Sequence, residues 1–346
     1  MTIKITTFEE LSDEAVLLLK SENVGFFSSY EWYENWVNSV LHLKKEHVAF
    51  LNYYNKSKLT LLLPLKFNKS SLESLTNYYS PIFQIVASEN SFLLSFVKEF
   101  LLELKNESFT WDVLVLHSMD REEVSLISDL KGLGLPSSPF YCFANWYLDV
   151  NQRSFDEYFS SLSSRVRNTV VRKTKQFNKL EGAKVEIIHE GEGLEKAIKA
   201  FEAVYDSSWK GEETFPGFIS GLMRMASKQG VLRLGIAYIN DVPAAAQLWI
   251  VADDTAYIYK LAYDEKHKKL SIGSILTATL MRYAIDVDKV KCVDYLSGDD
   301  AYKKEWMSDR RERWGIMIFN WRTLTGCLKM INEYSRFYFK KFLILK

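Results

Sequence analysis

The segment from Tyr263 to Ala284, YDEKHKKLSIGSILTATLMRYA, places two adjacent lysines and a Ser-Ile-Gly-Ser turn before a helical pattern. The first N–H groups of a helix have no partner within the helix, and the helix dipole makes this end positive, so a phosphate group binds there readily. Gly273 would let such a ligand approach the backbone closely. Two interpretations remain open: a phosphate-binding helix start, or only a loop that leads into a helix.

Few other residues have the types and spacing of a reactive site. Five histidines are spread along the sequence without the short spacings of metal ligands, and His267, beside the lysines, has the character of a surface residue. The sequence contains none of the glycine patterns of serine hydrolases, dinucleotide-binding folds or P-loop proteins. We therefore predict no metal site and no nucleophilic triad. The other histidines are His42, His47, His117 and His189.

The composition is that of a folded, soluble protein without net charge. Of 346 residues, 44 are basic and 44 are acidic, so no nucleic-acid partner is expected. The N-terminus lacks the apolar core of a signal peptide, and no apolar run approaches the ~20 residues of a membrane helix. Three widely spaced cysteines favour a reducing compartment. We therefore expect a cytoplasmic protein without integral membrane association.

The basic, aromatic stretch from Tyr334 to Lys346 predicts a packed terminal helix or strand. Its alternative is contact with a membrane surface, because aromatic and basic side chains together favour the lipid interface.

The second half of the chain has the elements that would position the lysines and Gly273. Three β-type runs are separated by the turn pairs Asn240-Asp241 and Asp253-Asp254, which predicts an antiparallel meander. A helix from about Ser274 to Asp286 follows, and then a strand, a short helix and a last strand. The strands are predicted at Val231–Tyr238, Ala244–Ala252, Thr255–Tyr263, Cys292–Leu296 and Trp314–Asn320.

The first half repeats this order more loosely. A hairpin is predicted around Asn55–Lys58, and Asn77–Val86 is predicted as a third strand. Ser91–Lys105 has the apolar stripe of an amphipathic helix, and a strand, a helix and a strand follow it. The shared order predicts two tandem domains, residues 1–150 and 151–346, with the boundary near Val150.

A strongly basic helix is predicted between the halves, at Ser163–Gly182. Ser163 can cap its start, and Gly182 stands where helices commonly end. Residues 165–179 include six basic side chains and no acidic one. A solvated face and an anion-binding wall beside a cleft are both open interpretations. On the second interpretation, three arginines bind the substrate: Arg165, Arg167 and Arg172.

The meander, the lysine-glycine segment, the helix after it and the later VDYLSGDDAYKKEWM together resemble the GNAT acyltransferase superfamily, in its CelD-like or FemAB-like branch with two such folds in tandem. The family's phosphate loop, Gln/Arg-x-x-Gly-x-Gly/Ala, aligns with residues 268–273, where Lys268 replaces Gln/Arg and Ser271 replaces the first glycine. The resemblance covers about Ser154 to Asn320. A second family pattern, Asp-x-x-x-Gly-x-x-x-Tyr-Lys, falls on Asp294, Gly298, Tyr302 and Lys303.

This resemblance implies an α/β (α+β) fold of two tandem GNAT-like domains, each a mixed, mainly antiparallel sheet flanked by helices. It implies a degenerate N-terminal domain on the acceptor side and a C-terminal domain with the acyl-CoA site and a terminal extension. Acetyl-CoA or another acyl-CoA would be the donor, without a metal. The residues implied in donor binding are Tyr259, Leu261, Ala262, Lys268, Lys269, Leu270, Ser271, Ile272, Gly273 and Ser274.

Two carboxylates and a tyrosine are the candidates for the implied transfer. An alkylamine with a pKa of about 10.4 is mostly protonated at neutral pH, so a carboxylate base would assist its attack on a thioester. Asp294 is the first candidate and Asp264 the second, with loop capping or a salt bridge as the alternative for each. Tyr302 would protonate the leaving thiolate, and Lys303 would bind an anionic group of either substrate.

The aromatic stretch Phe26–Trp36 is a candidate acceptor surface in the first half, because flat apolar rings pack on sugar faces. On this interpretation Tyr30 and Trp32 contact the acceptor. Core packing of an amphipathic helix is the alternative.

The leading functional hypothesis is an N-acyltransferase that moves an acetyl or longer acyl group from coenzyme A to an amine. An amino sugar or sugar nucleotide of a surface polysaccharide is the expected acceptor, on analogy with the family branch. A second hypothesis keeps the fold but uses aminoacyl-tRNA to extend a peptidoglycan peptide, as FemX-like enzymes do. A third is a non-catalytic GNAT-like binding module.

Overall fold

The computed structural model describes residues 1–41, 47–107, 110–130 and 132–344, so His42 lies outside the described residues. The chain divides into two compact units, Met1–Phe143 with Glu312–Lys346, and Ala144–Arg311. Each unit contains a mixed, mainly antiparallel sheet with helices packed on it, which confirms the predicted fold class. The expected functional boundary near Val150 stays a prediction.

The elements are numbered along the chain and are given first for residues 1–149 and then for residues 150–344, a division that differs from that of the two compact units. The first part contains β1 (Thr2–Thr6), α1 (Asp13–Leu19), α2 (Tyr30–Trp36), β2 (His47–Asn55), β3 (Lys58–Asn68), β4 (Ser71–Ser74), β5 (Val86–Ala87), α3 (Leu93–Leu104), β6 (Val113–Asp120), α4 (Arg121–Ser128) and β7 (Ser137–Asp149). The second part contains α5 (Phe155–Ser161), α6 (Ser164–Phe177), β8 (Lys184–Ile188), α7 (Leu194–Asp206), α8 (Pro216–Lys228), β9 (Leu232–Ile239), β10 (Val242–Ala252), β11 (Thr255–Tyr263), α9 (Ile272–Arg282), β12 (Cys292–Asp294), α10 (Ala301–Trp306), β13 (Asp309–Phe319) and α11 (Leu324–Ile344).

The sheet of the first unit has the order β1-β2-β3-β4-β6-β13, with β4 and β6 parallel. The predicted hairpin is confirmed, because Asn55 pairs with Lys58 across a turn whose two residues have positive φ. The third strand predicted at Asn77–Val86 is wrong: β5 begins only at its last residue, and β4 precedes the segment. Asn77 instead accepts the Tyr79 N–H (2.9 Å) and forms a turn.

Helix α3 confirms the amphipathic helix predicted at Ser91–Lys105. Its buried face consists of Val97, Phe100, Leu101 and Leu104, which belong to the hydrophobic core of this unit. The helix therefore covers the sheet with the side chains that the 3.6-residue period selects.

The sheet of the second unit has the order β7-β12-β11-β10-β9-β8. Strands β8 to β11 are antiparallel neighbours, whereas β11 and β12 are parallel. The meander turns are confirmed, since both predicted residue pairs, Asn240-Asp241 and Asp253-Asp254, have positive φ. The predicted order of strand, helix, strand, helix, strand after β10 is also confirmed.

The limits of two helices differ from the prediction. The side chain of Ser163 caps α6 by accepting the Val166 N–H (3.4 Å), as predicted, but α6 ends at Phe177. Gly182 lies in a later turn with φ 59°, where a Cβ would come within 2.8 Å of the Asp241 N–H nitrogen. The glycine thus serves a close backbone approach and does not end the helix. Helix α9 begins two residues before the predicted Ser274.

Helix α9 is seated on the sheet by a close approach at Gly235 of β9. A Cβ there would lie 2.8 Å from Leu280 and 3.0 Å from Leu276. Both leucines belong to a hydrophobic core cluster that also contains Val166 and Val170 of α6. The basic helix α6 is therefore packed against α9, and the start of α9 is held in a fixed position.

Candidate active site

The lysine-glycine segment forms a tight turn that leads directly into α9. Asp264 accepts a hydrogen bond from the backbone N–H two residues later (2.9 Å) and caps the 3₁₀ turn Glu265–Leu270. Ser271 takes a left-handed conformation, with φ 53°, between this turn and α9. The N–H groups of Ile272 and Gly273 then form the first turn, where helix geometry provides no carbonyl four residues back. The segment has the backbone of an anion-binding helix start.

Gly273 is half-buried, and its Cα faces a position with room for a side chain. In the described part of the chain, a Cβ added to this residue would meet only the ring of Tyr263 within 4 Å, at an ordinary contact distance of 3.4 Å. Packing within the protein therefore does not require glycine here. What the missing side chain provides is an accessible backbone, which the close approach of a phosphate requires.

Strands β11 and β12 diverge beside this helix start. Their parallel register covers Thr255–Tyr257 and Cys292–Asp294. Beyond it, β11 continues beside β10, while the chain after β12 follows β7, where the Tyr295 N–H donates to the Trp146 carbonyl (2.9 Å). The two strands therefore no longer pair beyond Tyr257 and Asp294, and the pantetheine arm of an acyl-CoA donor would need such a gap.

A β-bulge lies in β11 just past the point of divergence. Leu248 pairs with Lys260 and Trp249 pairs with Ile258, so Tyr259 is the additional residue. A bulge interrupts the ladder and changes the direction of the backbone groups beside it. The bulge thus falls on a residue predicted to contact the donor. Two other predicted donor-binding residues follow in the same strand, Leu261 and Ala262.

The two lysines of the turn have different contacts. Lys268 lies 3.8 Å from the Glu265 carboxylate, but its side chain is 67% exposed, so this pair is weak and screened. The Lys269 carbonyl accepts a hydrogen bond from the Lys173 amine of α6 (2.6 Å), which ties the turn to the basic helix. Leu270 packs against the core of the unit. The turn is therefore held by the basic helix and by the core, and the Lys268 side chain remains available to an anion.

A small cavity joins the start of α9 to the basic helix. Its volume is about 180 Å³, and its lining includes Ser274 of α9, Arg165 and Thr169 of α6, and Glu305 and Trp306 of α10. Arg165 forms an ion pair with Glu305, so part of the charge of α6 is compensated within the unit. The structure places Arg165 beside the helix start.

The other two arginines predicted to bind substrate lie along the same helix. Arg172 is exposed. The buried Nε of Arg167 has no hydrogen-bond partner within the described residues. Their role in substrate binding stays a prediction.

Asp294 is fully buried at the end of β12 and is surrounded by donors. Its Oδ1 accepts hydrogen bonds from the Asn145 side chain and from the Leu296 N–H, both at 2.6 Å. Its Oδ2 forms an ion pair with Arg311, whose Nε donates to the Asn145 side-chain oxygen (2.6 Å). Asn145, Asp294 and Arg311 therefore form a closed network at the gap between β11 and β12.

These contacts bear on both predicted bases. Asp294 has 0% of its surface exposed, and Asp264 caps a turn. The structure therefore contains both the salt bridge and the loop cap that were the alternatives to a catalytic role. A catalytic role for either carboxylate stays a prediction. The field of Asp294 also reaches its neighbours: burial raises the pKa of Cys292 to about 12, and Asp294 adds to this rise.

The candidate proton donor and the adjacent lysine differ in accessibility. The ring of Tyr302 is 42% exposed and packs edge-on against Tyr295, with 5.7 Å between ring centroids. Lys303 is 5% exposed, donates to the Ser297 carbonyl and lies 3.4 Å from the Asp300 carboxylate. Burial lowers the pKa of Lys303, while Asp300 opposes this shift. Tyr302 is accessible to a ligand, and Lys303 is held within the fold.

The two aromatic candidates of the first unit have separate environments. Trp32 is fully buried and packs edge-on against Phe26 and Phe27. Tyr30 is partly exposed, and the Lys20 amine lies 4.6 Å from its ring centroid. The structure favours core packing for Trp32, whereas an acceptor contact of Tyr30 stays a prediction.

The sequence analysis did not identify a polar cluster around the loop between α7 and α8. Lys260 of β11 is 7% exposed and its amine lies 2.5 Å from the Glu213 carboxylate of that loop. Next to Glu213 in space is Lys210, whose pKa is lowered to about 8, mainly by burial and then by Lys260. One signal was present in the sequence: Lys260 occupies a buried position in the alternation of β11.

Within the described residues, no group of three or more histidine, cysteine, aspartate or glutamate side chains could hold a metal ion. The same part of the chain contains no helix long and apolar enough to cross a bilayer.

Residues 164–304 match the family model of an acetyltransferase (GNAT) domain. The sequence has no significant match among curated proteins.

Three solved structures share the fold at low sequence identity. The crystal structure of FemX has a TM-score of 0.60 at 13% identity, over 94% of this chain and 100% of that one. The C-terminal domain of a putative lysylphosphatidylglycerol synthetase from Agrobacterium fabrum has a TM-score of 0.56 at 10% identity, over 90% and 92%. A tandem GNAT protein from the clavulanic acid pathway has a TM-score of 0.51 at 8% identity, over 92% and 98%. The chain therefore shares the GNAT fold of these structures, and residues 164–304 match the model of a GNAT acetyltransferase domain.

Proposed function

We propose that this protein is an N-acyltransferase that transfers an acyl group, of which acetyl is the first candidate, from acyl-CoA to an amine. The observation that carries this proposal is the open helix start at Gly273 beside the divergence of β11 and β12. A diphosphate and a pantetheine arm need these two features side by side. The family match over residues 164–304 supports the same reaction class.

The donor would bind through backbone groups. The N–H groups at Ile272 and Gly273 face the diphosphate, and Lys268 adds a mobile positive charge. Ser271 occupies the left-handed position (φ 53°) at a site where the family pattern has glycine. The left-handed conformation costs a serine more energy than a glycine. Ser271 nevertheless adopts it, and the turn keeps its shape despite the substitution.

The acyl group would lie along β11 near the bulge at Tyr259. Backbone N–H groups that point toward the thioester oxygen stabilise the charge that develops there during attack. The pantetheine arm would extend from Gly273 past Leu261 and Ala262 into the gap between β11 and β12.

The attacking amine must first lose a proton. At pH 7 an alkylamine with a pKa of about 10.4 is mostly protonated, which adds about 4 to 5 kcal/mol to the barrier. Asp294 and Asp264 remain the proposed bases, directly or through water. After attack, Tyr302 would protonate the departing thiolate, and its 42% exposure leaves it accessible for this step.

The acceptor class remains the amine of an amino sugar or sugar nucleotide used in a surface polysaccharide. Calorimetric titration with acetyl-CoA, followed by an assay of CoA release with amino-sugar acceptors, tests the proposal. Micromolar donor binding with amine-dependent CoA release would support it. A protein that neither binds acetyl-CoA nor changes its thermal stability at saturating donor would exclude it and favour the binding-module hypothesis.

A second function is supported by the exposed basic face of α6. Arg172 and Lys175 are exposed on this helix, and a basic helix could bind the phosphates of an aminoacyl-tRNA donor. In this alternative the donor changes while the fold stays the same. Competition decides between them, because tRNA that displaces acetyl-CoA with a steep salt dependence would favour the aminoacyl donor.

A further inference from the structure

We propose that Lys210, in the loop between α7 and α8, binds an anionic group carried by the acceptor, so that this transferase selects amines that bear a phosphate or carboxylate. The inference rests on the proposed acyl transfer and names its substrate class. It is carried by a cavity, by the charges around that cavity and by the absence of an ion pair at Lys210 within the described residues.

The cavity lies beside α7 and has a volume of about 720 Å³. Lys210 and Glu213 line it from the loop, and Phe201 and Tyr205 line it from α7. Tyr205 is common to the lysines of this region: the amines of Lys210 and Lys260 lie 5.7 and 5.4 Å from its ring centroid. The cavity is thus adjacent to β11, the strand that carries the bulge.

Two of the three lysines in this region are already paired. Lys260 and Glu213 form a buried ion pair at 2.5 Å, with 7% and 11% of their side chains exposed. Lys303 of α10 lies 3.4 Å from the carboxylate of Asp300, the residue just before that helix. Within each of these two pairs, the positive and the negative charge offset each other.

Lys210 is the remaining positive charge. Among the described residues its amine forms no ion pair, and its recorded contacts are the rings of Tyr205 and Trp209, each 5.7 Å away. The largest charge effects on it come from Lys260, Glu213, Lys303 and Asp300, which places Lys210 near both pairs. A partly buried ammonium that forms no ion pair, and that lies beside carboxylates already paired with other lysines, favours the binding of an anion.

The loop also lies close to the donor site. The ring of Trp209 packs on Tyr263, with 4.6 Å between centroids, and Tyr263 is the residue nearest to the open side of Gly273. Lys260, whose amine shares the Tyr205 ring with Lys210, directly follows the bulge residue Tyr259, where the acyl group is proposed to lie. An acceptor whose anionic group is bound by Lys210 would therefore have its other end near the acyl group. This arrangement positions the amine by a contact that does not react.

Other charged side chains that line the cavity limit the charge of the anion that can bind. Three exposed carboxylates line it: Glu202, Asp206 and Glu212. They would repel a polyanion such as a nucleic acid, whereas a small acceptor with one anionic group can pass between them. The cavity therefore suits a small zwitterionic amine.

Binding of inorganic phosphate tests the site without any assay of activity. The protein is first saturated with CoA, so that the helix start at Gly273 is occupied, and phosphate is then titrated by calorimetry. We expect at least tenfold weaker phosphate binding in Lys210→Met, and retained binding in Lys210→Arg and in the control Lys228→Met, which removes an exposed lysine of α8. Equal phosphate affinity in the wild type and Lys210→Met would overturn the proposal.

Matched acceptors then identify the anion. Phosphoethanolamine is compared with ethanolamine, and β-alanine with β-alaninamide, using acetyl-CoA as donor. In one of these pairs we expect the anionic acceptor to have a kcat/KM at least tenfold higher than that of its neutral counterpart, mainly through a lower KM. Lys210→Met should lose this preference, and Lys210→Arg should keep it.

A loss of turnover in both Lys210 variants, with the anion preference intact in the residual activity, would overturn the proposal and make Lys210 a proton acceptor, since arginine cannot accept a proton at this pH. Failure of the proposed function itself is seen separately, as a lack of acetyl-CoA binding. In that case the phosphate titration, run without CoA, still decides whether Lys210 forms an anion site.

Discussion

The carboxylate of Glu213 lies 2.5 Å from the amine of Lys260, and the two side chains are 11% and 7% exposed. This ion pair joins the loop between α7 and α8 to the strand that carries the bulge. Burial lowers the pKa of Lys260, while Glu213 opposes this shift. The pair fixes the loop over β11, so its loss should affect both stability and the position of Lys210.

Glu213→Gln should destabilise the protein because it removes the carboxylate that forms a buried ion pair with the Lys260 ammonium. We expect the free energy of unfolding to fall by about 3 kcal/mol in urea denaturation, which is typical when one partner of a buried pair is removed. The double variant Glu213→Gln with Lys260→Met removes both charges and should recover much of this loss. A double variant no more stable than Glu213→Gln alone would contradict the assignment of a buried pair.

Gly273→Ala should separate donor binding from folding. Alanine favours a helix over glycine by up to ~1 kcal/mol, and the added methyl meets only an ordinary contact with Tyr263, so stability should be unchanged or higher. The affinity for acetyl-CoA should fall at least tenfold, which corresponds to about 1.4 kcal/mol. Calorimetry measures the affinity and thermal unfolding measures the stability.

The chain offers a matched control for this variant. Gly217 is the second residue of α8, as Gly273 is the second residue of α9, and no atom of the described residues lies within 4 Å of a Cβ added there. Gly217→Ala should leave acetyl-CoA affinity unchanged. If Gly273→Ala binds the donor as tightly as Gly217→Ala does, the helix start of α9 is not the diphosphate site.

Asp294→Asn should affect turnover and stability together. The amide cannot pair with Arg311 and one of its groups no longer matches the donors around it, so the free energy of unfolding should fall by about 1 to 3 kcal/mol. We expect kcat to fall more than the affinity for acetyl-CoA, most strongly below the pKa of the acceptor. Arg311→Met is the comparison, because it disturbs the same network and leaves the carboxylate. Wild-type turnover in Asp294→Asn would exclude Asp294 as the base.

The pH dependence of the free energy of unfolding should show that the pKa of Lys210 is lowered in the folded protein. Its pKa falls from 10.5 to about 8 in the folded protein, so the unfolded chain holds this proton more tightly between these two values. Stability contributed at this residue is therefore lowest below pH 8 and rises as the pH approaches 10.5. The difference in free energy of unfolding between the wild type and Lys210→Met should change across this window by at most about 1.4 kcal/mol per pH unit. A constant difference from pH 7 to pH 10.5 would contradict the lowered pKa.

Local patterns predicted much of the fold because short-range rules govern them. The turn pairs Asn240-Asp241 and Asp253-Asp254 tolerate positive φ, and the apolar period at Leu93–Leu104 selects a buried helix face. One error arose where a distant contact overrode a local pattern. Gly182 was expected to end α6, yet its positive φ serves a close approach to Asp241, a contact with a residue distant in sequence.

Local sequence patterns were enough to predict the order of elements from β9 to β13 and the helix start beside Gly273, because turn chemistry, periodicity and capping act over a few residues. Contacts within the folded chain set the divergence of β11 and β12 after Tyr257, the enclosure of Asp294 by Asn145 and Arg311, and the position of Lys210 near Lys260. These features depend on contacts between residues up to 166 positions apart. Burial and charge at such sites are set by neighbours that no local pattern specifies.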